Sequence, residues 1–162
     1  MNQHNLLLFA VVIVCCPQAI IAESVQSFET TSIKRNIQSA TIVASIRHNR
    51  TGLSVSEGEV YQFQSQGYWI DKKYPSDATG FNNPFLDIVF GEMKRVPNGK
   101  FFSLICEVGQ YNREIINIGE LIETNRHYTA KRSGELICYA NDVYYAYCNN
   151  KGSVDLSVWL MN

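Results

Sequence analysis

The chain has 162 residues, and its 14 Lys and Arg nearly balance 15 Asp and Glu, for a formal charge of −1. Without an excess of either sign, neither nucleic acid nor an anionic membrane surface is the expected partner. Hydrophobic residues make up 46 % of the chain, enough to bury one core, and the length fits one domain behind a leader.

The first 22 residues contain no Asp, Glu, Lys or Arg, and an apolar run from Leu6 to Cys15 precedes Pro17 and the small Ala22. This is the layout of a secretory signal peptide, with cleavage expected after Ala22. Pro17 and Gln18 interrupt the run before the roughly 20 residues that a membrane-spanning helix needs, so no membrane insertion is expected. The protein is therefore read as secreted, to the periplasm or the exterior according to its source. Cys15 and Cys16 leave with the signal, so Cys106, Cys138 and Cys148 reach an oxidising compartment. They are expected to form one disulfide and leave one thiol, and spacing does not choose the pair. Asn49-Arg50-Thr51 is an acceptor sequon for an N-glycan in a eukaryotic secretory pathway.

Residues 23–39 are polar, rich in Ser, Thr and Gln, and read as a poorly ordered leader or a loosely docked first strand. From residue 40 onward the pattern changes to that of a folded domain reaching residue 162. Ile42, Ala44 and Ile46 alternate with Val43, Ser45 and Arg47, the period of a half-buried strand. Leu53 and Val55 follow, then a turn at Glu57-Gly58 and the run Val60 to Ser65, in which Tyr61 and Phe63 share a face. Gly67 to Gly80 mixes aromatic and charged residues and reads as a long loop of the kind that carries binding function.

Phe85 to Phe90 reads as another strand, Phe101 to Val108 as a clear one ended by Gly109, and Ile115, Ile116 and Ile118 as a third stopped by Gly119. A polar segment, Glu123 to Arg132, leads to the turn Ser133-Gly134. The last two strands, Glu135 to Ala140 and Ser153 to Leu160, flank the segment Asn141 to Gly152. No window holds a helical apolar stripe, and Ile, Val, Tyr and Phe favour a pleated surface. The predicted fold is all-β, a small antiparallel β-sandwich.

The segment Asn141 to Ser153 concentrates oxygen donors. A hard cation such as calcium takes about six to eight oxygens from carboxylates, amides and backbone carbonyls. Asp142 offers a carboxylate, Asn149 and Asn150 offer amide oxygens, and Gly152 allows a sharp turn back into the sheet. Asn, Asp and Gly also gather in metal-free hairpin loops for their turn chemistry, so the spacing leaves both readings open. For an enzyme, Asp87 with Glu92 or Glu57 with Glu59 are the available carboxylate pairs, and His48 or His127 the bases for a thiol; solvated charge is the simpler reading of each.

The C-terminal motifs Leu104-Ile105-Cys106-Glu107-Val108-Gly109, Ile118-Gly119, Ser133-Gly134-Glu135-Leu136, Asn141-Asp142-Val143 and Asn149-Asn150-Lys151-Gly152-Ser153-Val154 resemble the PA-IL-like family of calcium-dependent, galactose-binding lectins. Thr51-Gly52-Leu53-Ser54-Val55, Gly58-Glu59-Val60 and Gly67-Tyr68-Trp69 resemble that family's N-terminal half. The resemblance implies a jelly-roll, galactose-binding-like sandwich in which one calcium ion bridges protein and sugar, with no catalytic residue. It implies Asp142, Asn149 and Asn150 as side-chain ligands, with backbone carbonyls from Ala146 and Asp71. By the same resemblance Asp142 and Asn149 bond sugar hydroxyls, while Tyr68 and Trp69 are the aromatic candidates to cover the ring.

The family's His and Gln that contact galactose are missing from Pro75 to Asn83, where Asp77 and Asn82 offer polar side chains instead. The ligand is therefore expected to be a hexose-type glycan, galactoside or other. Cys148 stands where the family tends to have Gly. Assembly into a multivalent homo-oligomer is a further expectation from the resemblance. The rival readings are a metal-free structural or adhesive sandwich and a glycoside-acting hydrolase.

Overall fold

The computed structural model describes residues 36–109 and 111–161. The expected signal peptide, residues 1–22, and the leader as far as residue 35 lie outside the described residues. In chain order the elements are β1 (Gln38–Val43), β2 (Asn49–Val55), β3 (Val60–Asp71), β4 (Tyr74–Ser76), α1 (Pro84–Phe90), β5 (Leu104–Val108), β6 (Glu114–Asn117), α2 (Ile118–Glu123), β7 (Tyr128–Thr129), β8 (Gly134–Ala140) and β9 (Asn150–Leu160). One sheet runs β1-β9-β3-β4 with β7 also on β3, and the other runs β2-β8-β5-β6. Every paired strand is antiparallel, which gives the expected all-β sandwich.

Alternation builds the core. Tyr61 and Phe63 on β3 and Val154, Leu156 and Val158 on β9 turn inward, toward Leu53, Val55, Leu136, Leu104 and Val108 of the facing sheet. Successive strand residues point to opposite faces, so each strand contributes every second residue. β5 is the exception, because all five of its residues are buried. Its outward Ile105 packs with Tyr139, Tyr147 and Val96 in a second, smaller cluster. Beside that cluster the Arg95 guanidinium lies over the Tyr139 ring and pairs with Glu107 at 3.1 Å.

Cys106 and Cys138 stand opposite each other across β5 and β8 and form the disulfide, while Cys148 is an exposed thiol. Periodicity could not select this pair; strand register does. The sequon is consumed by the fold: the Asn49 Nδ2 donates to the carbonyls of Val43, Ile46 and Cys138, and Thr51 Oγ1 donates to Leu136 at 2.7 Å. Asn49 is buried, and the folded chain has no room for a glycan there.

Four expectations are corrected. Phe85 to Phe90 is not a strand but most of α1, started by Asn83, whose side-chain oxygen accepts from the Phe85 and Leu86 amides, and by Pro84 in the first turn. Those two signals nucleate a helix whatever the β preference of the residues that follow. Gly119 does not stop a strand; it lies in α2, where a Cβ would meet the Ala78 carbonyl oxygen at 2.3 Å. The expected loop after Gly67 is largely a hairpin, since β3 runs to Asp71 and β4 begins at Tyr74, with Lys72 and Lys73 at the turn. Gly152 is an in-strand kink at φ 80 within β9, pressed against the Tyr68 backbone, and not a turn ahead of the sheet.

Candidate functional site

β8 delivers the chain to Asn141 and Asp142 at one end of the sandwich. Asn141 is fully buried and acts as a staple: its Nδ2 donates to the carbonyls of Val96 and Lys100, and its Oδ1 accepts from the Val96 amide. This fixes the base of the segment that precedes β9. Asp142 is 2 % exposed. One carboxylate oxygen accepts from the Val143 amide at 2.7 Å, and the other accepts from Asn150 Nδ2 at 3.0 Å. The backbone then curls back, with Ala146 N donating to Val143 O and Asn149 N donating to Ala146 O, through the short 3-10 turn Tyr147–Asn149. Tyr147 anchors that turn, since its buried hydroxyl donates to the Ala140 carbonyl.

The end of β3 supplies the opposite side. Asp71 pairs in register with Asn150 and with Tyr74, so its side chain leaves the sheet on the inward side shared with Trp69. Burial raises the Asp71 carboxyl to about 6, the negative charge of Asp142 adds to the rise, and Lys72 opposes it. Burial also raises Asp142, against the pull of its hydrogen bonds from Asn150 and Val143. Two carboxylates thus share a partly desolvated space in which the charge of Asp142 disfavours that of Asp71.

Beside them, Asn149 Oδ1 and Asn150 Oδ1 are buried and find no hydrogen-bond donor among the described residues. Buried amide oxygens are ordinarily paired, and two unpaired ones next to two carboxylates are acceptors available to a cation or a bound water. Every donor in the set is oxygen. The set suits a hard cation of the calcium kind and not a transition metal.

Asp71, Asp142, Ala146 and Asn149 all line one open cleft of about 380 Å³. Lys72, Lys73 and Tyr74 form its rim, and Leu86, Phe90 and Met93 form an apolar wall contributed by α1 and the turn after it. Asn150 stands behind Asp142 and reaches it by hydrogen bond.

The proposed sugar-facing residues divide. Trp69 is corrected: it is fully buried, its indole meets Phe102 edge-on, and its Nε1 donates to the Asp77 carbonyl, so no face is left for a sugar. Tyr68 is 72 % exposed but turns to the opposite side of β3 from Asp71. The Asp77 carboxylate caps its own turn through Thr79 N and Oγ1 and is not part of the cleft lining. The aromatic side chain at the rim is Tyr74 instead, packed on Phe81. Sequence reasoning missed Tyr74, Leu86, Phe90 and Met93 as lining; the Asn83-Pro84 helix start was the readable signal for three of them.

Of the alternative catalytic groups, Asp87 is paired with Lys94 at 3.0 Å, Glu57 and Glu59 are exposed at a turn, and Cys106 is joined to Cys138. His48 sits beside Arg95, and burial with the charge of Arg95 lowers its pKa.

No protein-family profile and no curated protein matches the chain. Among solved structures it is similar to the N-terminal domain of EclA, a PllA-like lectin, with a TM-score of 0.55 and 16 % identity over 78 % of this chain and 98 % of that one. At that identity the likeness concerns the fold alone, an antiparallel β-sandwich.

Proposed function

We propose that this chain is a secreted carbohydrate-binding module that holds a hexose-type glycan through one bound calcium ion. The observation that carries the reading is the pair of buried, unpartnered amide oxygens of Asn149 and Asn150 beside the carboxylates of Asp142 and Asp71. Asp142, Asn149 and Asn150 would hold the ion with their side chains, and the backbone carbonyls of Ala146 and Asp71 would complete the oxygen set. Calcium supplies a charge centre whose shell vicinal sugar hydroxyls can complete in place of water.

The protein does the rest. Asn150 Nδ2 orients the Asp142 carboxylate, Asn141 holds the loop base, and the Leu86, Phe90 and Met93 wall with Tyr74 offers apolar surface to a pyranose face. A binding role fits the site, because each Asp142 oxygen accepts one hydrogen bond, which orients the carboxylate and leaves it lone pairs for an ion and a sugar hydroxyl. The lectin identity of the structural neighbour agrees with a glycan ligand, and the disulfide agrees with folding in an oxidising compartment after export.

Titration calorimetry tests this directly. Calcium uptake by the wild-type protein at one ion per chain, lost in Asp142→Asn, is the expected result. No uptake, or uptake unchanged in that variant, removes the ion from this cleft and returns the chain to a metal-free adhesive sandwich.

A further inference from the structure

We infer that the glycan taken by this cleft is acidic, carrying a carboxylate or sulfate group that Lys72 and Lys73 recognise. The inference rests on the ion-centred reading above and asks which sugar that site prefers. Four charged side chains line the cleft: Asp71 and Asp142 against Lys72 and Lys73. Their formal charges cancel while no ion is bound. A divalent cation held by the carboxylates and amides leaves two positive charges uncompensated, at the rim where a ligand must enter.

Neither lysine has an acidic side chain within ion-pair distance among the described residues, whereas Arg50, Lys94, Arg95, Lys100, Arg113 and Arg126 each lie within 3.1 Å of a carboxylate. Lys73 Nζ stands 5.4 Å from the centre of the Tyr74 ring, and Lys72 leads directly out of Asp71 at the hairpin turn. The two-residue connection between β3 and β4 fixes the backbone positions of both lysines beside Asp71. The lining residues Leu86, Phe90 and Met93 are apolar, so a charged substituent gains nothing beside them and is favoured beside the exposed lysines.

A neutral hexose satisfies the ion and the wall but leaves both lysines solvated. A uronic acid or sulfated hexose satisfies all three. Because the unloaded cleft is balanced, the preference for acid should exist only with calcium present.

The experiment measures binding of galactose, glucose and mannose, each beside its uronic acid and its 6-sulfate, by calorimetry in calcium. At least one acidic sugar is expected to bind about tenfold more tightly than its neutral parent, as two exposed ion pairs imply. The advantage should shrink toward parity in about 0.5 M NaCl. The double variant Lys72→Asn/Lys73→Gln, with Asn chosen because Lys72 sits at φ 52, should abolish the preference and keep calcium uptake. Parity between acidic and neutral sugars, a preference that survives the double variant, or calcium uptake without binding of any sugar overturns the inference while the ion site stands. Absence of calcium uptake overturns the underlying reading and this one with it.

Discussion

Glu107 shows how a single charge can be buried on the outer face of a sheet without weakening it. It accepts hydrogen bonds from Arg95, Arg113 and the Tyr139 hydroxyl. Burial works to raise its pKa, but the bonds from Arg113 and Tyr139 and the charges of Arg95 and Arg113 outweigh it and leave the group below its ordinary 4.5. A carboxylate depressed in the folded state stabilises the fold fully above its unfolded pKa, and that contribution fades as pH falls through the folded value. Urea midpoints should therefore drop as the solution is acidified below about pH 4.5, and Glu107→Gln should have a lower midpoint at neutral pH with a flatter acid limb.

Trp69 is the other residue whose role differs from first expectation. Trp69→Ala should cost about 3 to 5 kcal/mol in chemical denaturation, as removal of a fully buried aromatic does. Its inward direction was readable in the alternation of β3, since it lies on the face opposite Tyr68; what was not readable was that the strand continues past Gly67 at all. The clustering of the acidic and amide side chains at 142, 149 and 150 was legible because they lie close in sequence, between the end of β8 and the start of β9. Tyr74, Leu86 and Phe90 were not, because they reach the cleft only through folding of separate segments.

At the level of elements, β5 and β8 bear an unusual share of the order. The Cys106–Cys138 bond joins them at the core, and β8 ends one residue before Asn141. Replacing both cysteines by alanine should lower stability by about 3 to 4 kcal/mol on the loop-closure account, read from the shift in denaturant midpoint. The strands were legible wherever apolar residues alternate, as in β3, β5, β8 and β9. α1 was not: its seven residues carry an apolar run that periodicity alone cannot distinguish from a strand, none of them is buried, and only its cap and proline mark it as helical. Its tie to the body includes the ion pair from Asp87 to Lys94, whose ammonium is buried, donates to the Gly99 carbonyl, and lies 4.5 Å from the Phe101 ring centre. The wall of the cleft is thus set by a lysine that never touches the cleft.

For the molecule as a whole, a ligand confined to the folded state raises its stability by mass action, by about 2.7 kcal/mol at a hundredfold excess over Kd. For a domain of this size that is on the order of 10 °C in Tm. Thermal melts with calcium and with chelator should differ by about that amount, and Asp142→Asn should melt alike in both. Expected assembly into a homo-oligomer would multiply weak sites on one glycosylated surface, and light scattering measures it directly.

The engagement of Asn49 bears on how the protein can be made. In a eukaryotic secretory pathway an oligosaccharide is attached to the acceptor asparagine of the sequon while the chain is still extended. Here that amide nitrogen must later sit 3.1 Å from three backbone carbonyls inside the closed sheet. A production host with an active oligosaccharyltransferase therefore sets modification against folding, and each chain it modifies at this position is one that cannot close β2 onto β8.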